Sequence, residues 1–547
     1  MTAVAAAAAR RTGGARHLAG TGALLRLALR RDRVMLPVWV LVLGTMVVSG
    51  GGSIEALYDT PAKRAQVAAS MSANSSLRSL YGPVFGDSTG ALVAWRFGVF
   101  AAVLAAIMSL IIVVRHTREE EETGRQELLS SAMVGRRAPL TAALLAALVA
   151  NTALVLIITA GLAGRGAGSA LALGLAVGLT GMVFATMAAI VAQLTESARL
   201  AKGLTSGVLG LAFILRAAGD AGTAGGPPQV GDLGGGSSVL TWLSPVGWAE
   251  NVRAFAGDRW WVLLLLGAAV LVQGLAAYEL TGRRDVGMSF LPARPGPAEG
   301  RLATAGGLAW RLQRGGLLGW TAGFLIAGVM FGGMVEGAAD LVGDNEQARE
   351  IFERLGGAQV LTDAFLAALL GMFGMVASLY AVGSVLRLHS EETSQRAEPV
   401  LANAVGRLRW AAGHLVIAFA GSVLLMAAAG FGMYASYGKD LGAVLGAAAV
   451  QVPAVWLLGG LAVLLHGAFP RAAVAAWGVA GLSLAIGWIG PALNLPQTIL
   501  NLSPFGHLPK LPGTDMAWPP VLVLLALAVA LVAAGLAGLR RRDIITS

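Results

Sequence analysis

The sequence predicts an all-α polytopic membrane protein made of two homologous six-helix transmembrane halves related by a pseudo-twofold repeat. Three observations predict it. Of 547 residues, 56% are hydrophobic and only 13% are charged, with a mean hydropathy of +0.71, which leaves too little polar surface to cover a soluble globule of this size. The apolar residues gather into about a dozen runs long enough to cross hydrocarbon, which takes on the order of 20 helical residues for ~30 Å. One polar stretch, wedged between two such runs, also occurs twice at a fixed shift of 271 positions. The runs are uniformly apolar rather than alternating, so helices, not barrel strands, satisfy their backbone groups in lipid.

Residues 1–33 form a basic, Ala-rich N-terminus without the apolar core of a signal peptide. Within it Leu24, Leu25, Leu27 and Leu29 are interspersed with Arg26, Arg30, Arg31 and Arg33, the pattern of an amphipathic helix lying along the inner headgroups. A first transmembrane domain, 34–280, holds spans at 34–50, 91–114, 140–160, 171–194, 204–215 and 260–278. The linker 281–314 carries Pro292, Pro295 and Pro297. A second transmembrane domain, 315–547, holds spans at 317–334, 361–386, 412–434, 441–465, 472–489 and 520–539. Each half opens with a polar segment after its first span. Thr60 and Pro61 read there as N-cap and N1 of a helix, and Asp344 with Gln347 as a capping box. The Gly-, Pro- and Ser-rich stretch 219–238 reads as an outer loop.

Orientation follows from the basic residues. With the N-terminus inside, the segments on its side of the membrane hold 28 of the 40 Lys and Arg, and the opposite segments hold 11. This positive-inside bias places both termini, the linker and both copies of the repeated stretch in the cytosol. It also accounts for the net charge of +10 and pI near 10.5 without a nucleic-acid partner.

Catalytic chemistry is missing from the pattern. The Gly-Lys pair Gly438-Lys439 is followed by Asp440 rather than Ser or Thr and lacks the earlier glycine of a phosphate loop. The glycines of 164–169 follow no strand, so they do not make a dinucleotide turn. The chain has no cysteine, and its six histidines lack ligand spacing. No cofactor or metal is expected. Arg96, Glu250, Glu279, Glu336 and Asp363 all fall near span ends, where side chains can snorkel to water. Gly174/Gly178, Gly203/Gly207, Gly328/Gly332 and Gly442/Gly446 are small-xxx-small pairs that allow close helix packing.

The repeated stretch is the informative feature. Shifting by 271 lays Glu120, Glu121, Arg125, Glu127, Val134, Gly135 and Arg136 on Glu391, Glu392, Arg396, Glu398, Val405, Gly406 and Arg407, seven identities in eighteen polar-loop positions. In the first copy Glu119 to Glu122 continue the preceding helix. Thr123 with Gln126 then restarts a helix as a capping box, running through Leu128 and Leu129 to Gly135. In the second copy Gln395, Ala397 and Pro399 replace Gly124, Gln126 and Leu128. Proline is tolerated only in a first helical turn, so the second helix should start about two residues later in register. A further echo supports the duplication: Leu-Ser-Pro at 243–245 and 502–504, and Arg-Arg-Asp at 283–285 and 541–543, recur in the same order.

Taken together, these motifs resemble the permease subunits of bacterial type-2 ABC exporters, specifically the fused twelve-span polyketide antibiotic exporter group, over essentially the whole chain. The resemblance implies that each six-span half is one transmembrane domain with a cytosolic coupling helix after its second span. It further implies that two nucleotide-binding domains of a separate ATPase carry ATP and Mg²⁺, and that the cargo is a lipophilic small molecule. On this reading the ATPase-coupling residues are Glu120, Glu121, Arg125, Glu127, Leu128 and Leu129 in the first loop. Their counterparts are Glu391, Glu392, Arg396, Glu398, Val400 and Leu401 in the second. An ion-coupled antiporter and a non-transporting membrane scaffold are the rival readings; the first would need carboxylates deep in the membrane.

The topology is testable directly. Single cysteines at Ser75 and Ser237 should react with an impermeant maleimide in intact cells, and one at Thr304 should not. Reversed labelling would refute the six-plus-six arrangement.

Overall fold

The structure, a computed structural model, describes residues 17–73, 75–130, 134–222, 237–285, 287–291, 304–335, 361–489 and 496–543. These are overwhelmingly helical and include no strand, and eleven of the helices are long and apolar enough to span a membrane. The chain is a multi-pass, all-α membrane protein. Its contacts divide it into two compact units, Met1–Pro295 and Gly296–Ser547.

Unit 1 begins with α1 (Thr21–Arg31), α2 (Met35–Leu57), α3 (Pro61–Ala73) and α4 (Ser75–Tyr81). Then come α5 (Thr89–Arg115) and two short helices, α6 (Arg118–Glu122) and α7 (Arg125–Ser130). Next are α8 (Ala138–Leu162), α9 (Ala167–Leu194) and α10 (Ala198–Ala221). The short α11 (Val239–Trp242) and α12 (Pro245–Asn251) precede the last span, α13 (Trp260–Arg283). The most buried spans are α5 and α9, which pack on each other. α1 packs on α8, and the backbone N–H groups of Gly135 and Arg137 donate to the carbonyls of Ala19 and His17 at 2.9 and 3.1 Å. The amphipathic N-terminal helix expected from the sequence is therefore also fastened to the protein. Thr60 caps α3 as expected, its hydroxyl accepting from the Lys63 N–H at 3.3 Å.

Unit 2 comprises α14 (Ala305–Val335), α15 (Leu361–Val385), α16 (Arg387–Thr393), α17 (Glu398–Leu401) and α18 (Arg407–Tyr437). It continues through α19 (Leu441–Ala449), α20 (Val452–Ala468), α21 (Ala475–Ile489), α22 (Gln497–Leu500) and α23 (Trp518–Arg541). The expected span at 441–465 is interrupted between α19 and α20, just before Pro453, whose ring nitrogen cannot donate to the helical ladder. The expected span at 472–489 is α21, helical over its 15 described residues. Asp344 and Gln347 lie outside the described residues, as do residues 1–16, 223–236 and 292–303.

Two expectations need correction. The span expected at 204–215 is the 24-residue α10. Arg199, Lys202, Arg216 and Asp220 make its ends read as loop, but all four lie within the helix. Of the four glycine pairs, only Gly174/Gly178 and Gly328/Gly332 sit in helix contacts, where an added Cβ would meet Val155 and the carbonyls of Ala429 and Met433 respectively. Gly203 and Gly207 face open space.

Gly332→Val should accordingly cost about 1–3 kcal/mol by overpacking the α14–α18 contact. Gly207→Val should cost far less. Thermal unfolding of the two variants in the same detergent checks the difference.

Candidate functional site

The repeated stretch forms the same construction in each unit. In unit 1, α5 ends at Arg115, His116 and Thr117 turn, and α6 carries the four glutamates. Thr123 does not cap the next helix as expected. Its hydroxyl donates back to the Glu119 carbonyl at 2.9 Å, closing α6 rather than opening α7. Gly124 then turns the chain with φ +72°, a left-handed conformation that suits glycine. In unit 2 the matching Gln395 holds φ +58°, which costs a residue with a Cβ about 1 kcal/mol. The turn is kept although the glycine is not. α17 starts at Glu398, two positions later in register than α7, with Pro399 in its first turn as the sequence predicts.

None of the glutamates of α6 is left to water alone. Glu119 pairs with Lys202 at 2.9 Å, and Glu122 accepts from the Ala198 backbone N–H at 2.9 Å, where α10 begins with orphan donors. Glu120 pairs with Arg31 and, at 3.8 Å, with Arg125. Glu121 accepts two hydrogen bonds from the Arg284 guanidinium, at 2.6 and 2.9 Å, and pairs with Arg118. In unit 2, Glu391 pairs with Arg396 at 3.2 Å and Arg387 at 2.8 Å. Glu392 accepts from both terminal nitrogens of Arg542 at 2.6 and 2.7 Å, with His466 at 3.6 Å.

Arg284 and Arg542 are the middle residues of the two Arg-Arg-Asp motifs, each one position beyond the last span of its unit. The far end of each loop returns to the same residue: Arg136 donates to the Arg284 carbonyl at 2.6 Å, and Arg407 donates to the Arg542 carbonyl. A cationic donor there satisfies a carbonyl at the negative end of the helix dipole. Each repeated loop is thus clasped at its start and its finish to the end of its unit's last span.

The expected coupling residues divide into two sets. Glu120, Glu121, Glu391 and Glu392 are turned inward and hold the loop. Arg125, Glu127, Arg396 and Glu398 are exposed, with Val400 and Leu401 half-buried beside the exposed Pro399. Leu128 and Leu129 lie on α7, but their side chains are outside the described residues. Sequence reasoning missed the partners, Arg284 and Arg542, although their repeated motif was the available signal.

It also missed a buried charge cluster. Arg216 and Asp220 on α10 are fully buried, and Arg216 lies 3.2 Å from Asp220 and 3.3 Å from Glu250. Arg216 also donates to the carbonyls of Ser79 and Leu80 at 2.6 and 3.0 Å, and Thr241 donates to Asp220 at 2.8 Å. Glu250 was expected to snorkel; instead burial, with the Asp220 carboxylate beside it, holds its pKa well above the usual carboxylate range. Among the described residues no cluster of metal-ligating side chains occurs.

Removing either arginine takes two charge-assisted hydrogen bonds from its glutamate, while Glu121 keeps Arg118 and Glu392 keeps its other neighbours. Arg284→Ala and Arg542→Ala should each cost about 1.5–3 kcal/mol, whereas Glu127→Ala, at an exposed position, should stay within about 0.5 kcal/mol of the parent. The exchange Glu121→Arg with Arg284→Glu should recover part of the loss in a thermal unfolding double-mutant cycle.

A family model for the C-terminal domain of the multidrug efflux system permease Rv1217c matches residues 302–540. Over 537 residues the chain is 44% identical to the multidrug efflux system permease protein Rv1217c of Mycobacterium tuberculosis (strain ATCC 25618 / H37Rv), spanning 96% of this chain and 95% of that protein. With an identity of that extent over nearly the whole of both chains, the chain belongs to the Rv1217c family of multidrug efflux system permeases.

Proposed function

We propose that this chain is the membrane permease of an ATP-driven exporter, which moves a lipophilic compound out of the cytoplasm or the inner leaflet of a bacterial inner membrane. The observation that carries the proposal is the clasped loop, present once in each unit, which presents a short exposed helix on a rigid base. Two such helices suit two nucleotide-binding domains of a separate ATPase, which would hold ATP and Mg²⁺; the permease itself supplies no nucleotide site. A rigid base matters because a docking helix that yielded under load would not pass motion to the spans. On this reading the two halves are equivalent transmembrane domains, 34–280 and 315–547, joined by the cytosolic linker 281–314, with both termini in the cytosol.

A lipophilic cargo is supported by the second unit. α14 and α15 line a groove of about 580 Å³ whose walls are Trp320, Phe324, Phe331 and Phe373 between the glycines of α14. Its size and aromatic lining suit drug-sized apolar molecules.

A second reading, ion-coupled antiport, is favoured by one observation: the buried carboxylates of Asp220 and Glu250. Arg216 lies within ion-pair distance of both, which suits a structural cluster better than a proton carrier.

Export by proteoliposomes containing the chain and its ATPase tests both readings. ATP should drive it, an imposed proton gradient should not, and native mass spectrometry should show two ATPase domains per permease. Truncating an apolar interface anchor commonly costs ~2 kcal/mol or more, and a rim charge costs less. Leu128→Ala should therefore uncouple export from ATP hydrolysis more than Glu127→Gln. In the second loop Val400→Ala should act where Pro399→Ala does little. Four substitutions without effect would refute docking through these loops, and gradient-driven export without ATP would establish the antiporter.

A further inference from the structure

α1 is tied to the repeated loop of unit 1 at both of its ends. Just past its C-terminus, Asp32 is 1% exposed, pairs with Arg115 at 2.9 Å and stands 2.5 Å from His116, where α5 passes into α6. Arg31, the last residue of α1, pairs with Glu120 of α6. Just before its N-terminus, the carbonyls of His17 and Ala19 accept from the backbone N–H groups of Arg137 and Gly135, at the finish of the loop. α1 therefore braces the loop from start to finish.

The other side of α1 is uncovered. Ala28 is buried, whereas Arg26 and Arg30, one turn apart, are exposed together with Ala23 and Leu27 beside them. Arg33 and Val34, just past the helix, are exposed as well. Of the four arginines between 26 and 33, Arg31 alone has an acidic partner among the described residues; Arg26 donates to the Gly22 carbonyl at 3.3 Å. Leu27 and Val34 are 53% and 68% exposed, and the first span, α2, begins at Met35. A face that mixes bare leucine and valine with arginines lacking a carboxylate, at the mouth of a span, suits the headgroup layer of a bilayer. There apolar side chains reach acyl chains while guanidinium groups meet phosphate. We propose that Arg26, Arg30 and Arg33 bind the headgroups of anionic phospholipids, and that α1 passes this occupancy to the loop it braces.

The physical fit has three parts. A guanidinium offers phosphate two parallel N–H donors, and Arg26 and Arg30 lie ~6 Å apart along the helix axis, so one headgroup can meet both. The charge selects among lipids: phosphatidylcholine carries its own cation beside the phosphate, and phosphatidylglycerol does not. An acidic protein surface would answer the arginines but not the bare Val34 beside the hydrocarbon. Lipid that favours the docked position of α1 stabilises, by linkage, the bonds α1 makes to Gly135 and Arg137. The lipid site does not rest on the exporter reading above, whereas the idea that the braced loop carries a docking helix does.

The test uses the full chain, which has no cysteine of its own, so Ala23→Cys places a single bimane label on the uncovered face. In phosphatidylcholine nanodiscs, quenching by nitroxide-labelled phosphatidylglycerol and, separately, by nitroxide-labelled phosphatidylcholine reports which lipid sits against α1. The parent should favour phosphatidylglycerol about tenfold or more. Combining Arg26→Gln, Arg30→Gln and Arg33→Gln should bring that preference close to unity, and the three matching changes to Lys should keep most of it, with unfolding temperatures showing that both variants are folded. Amide exchange at Gly135 and Arg137 should slow about threefold when phosphatidylglycerol replaces phosphatidylcholine around the parent, and stay unchanged in the Gln variant. Equal quenching of the parent by the two lipids would overturn the site and leave the face to an acidic protein. A Gln variant that keeps the preference, or a Lys variant that loses it as fully, would also overturn the site. Exchange at one rate in both lipids would overturn the link to the loop. Neither ATP nor an ATPase enters these measurements, so their failure and that of the exporter reading are separable.

Discussion

A carboxylate taken out of water must meet a countercharge, and at the loop end of each unit that requirement sets the local architecture. Glu121 and Glu392 stand where a second span has just ended, and each is two-thirds or more shielded. The partner supplied in both cases is an arginine one residue past the last span. Because the guanidinium offers two parallel donors, the pair fixes orientation as well as distance. The same arginine's carbonyl then receives the loop's returning arginine. The short helices α7 and α17, the turn before them and the docking of α1 all depend on a base fixed in this way.

Much of the fold was legible because apolar run length is a direct readout of hydrocarbon thickness. Every one of the twelve expected spans falls on helix among the described residues, with that at 441–465 broken into α19 and α20. The failures share a cause. Hydropathy treats a charge as a reason to end a span, so Arg216 and Asp220 were assigned to a loop, although a charge buried with its countercharge can stay in a helix. The late start of α17 was legible because proline's missing N–H is a local rule. The failed capping box was not, because the Thr123 hydroxyl has two equally local choices, the amide ahead and the carbonyl behind, and sequence does not rank them.

The loop was likewise half legible. Recurrence identified the residues that matter but not what they touch. Of the seven identities, Glu120, Glu121 and Arg136 with their counterparts serve the clasp, whereas Glu127 and Glu398 face outward. Repetition in sequence marks shared constraint, and inward and outward constraints look alike until partners are known. The Arg-Arg-Asp echo lay far downstream, and pairing it with the glutamates requires the fold.

That distance has a consequence for how the protein is made. The clasp joins residues 163 positions apart in unit 1 and 150 in unit 2, so while the ribosome is still extending a unit, the glutamate that starts the loop exists without its arginine. Each clasp can close only after its unit's last span has been threaded into the bilayer, and non-local closure of this length is slow compared with helix formation. The first clasp can form while the second unit is still being translated, and the second only when the chain is almost finished. Closure therefore reports completed insertion, one unit at a time, and a chain truncated before Arg542 keeps its second loop unlatched.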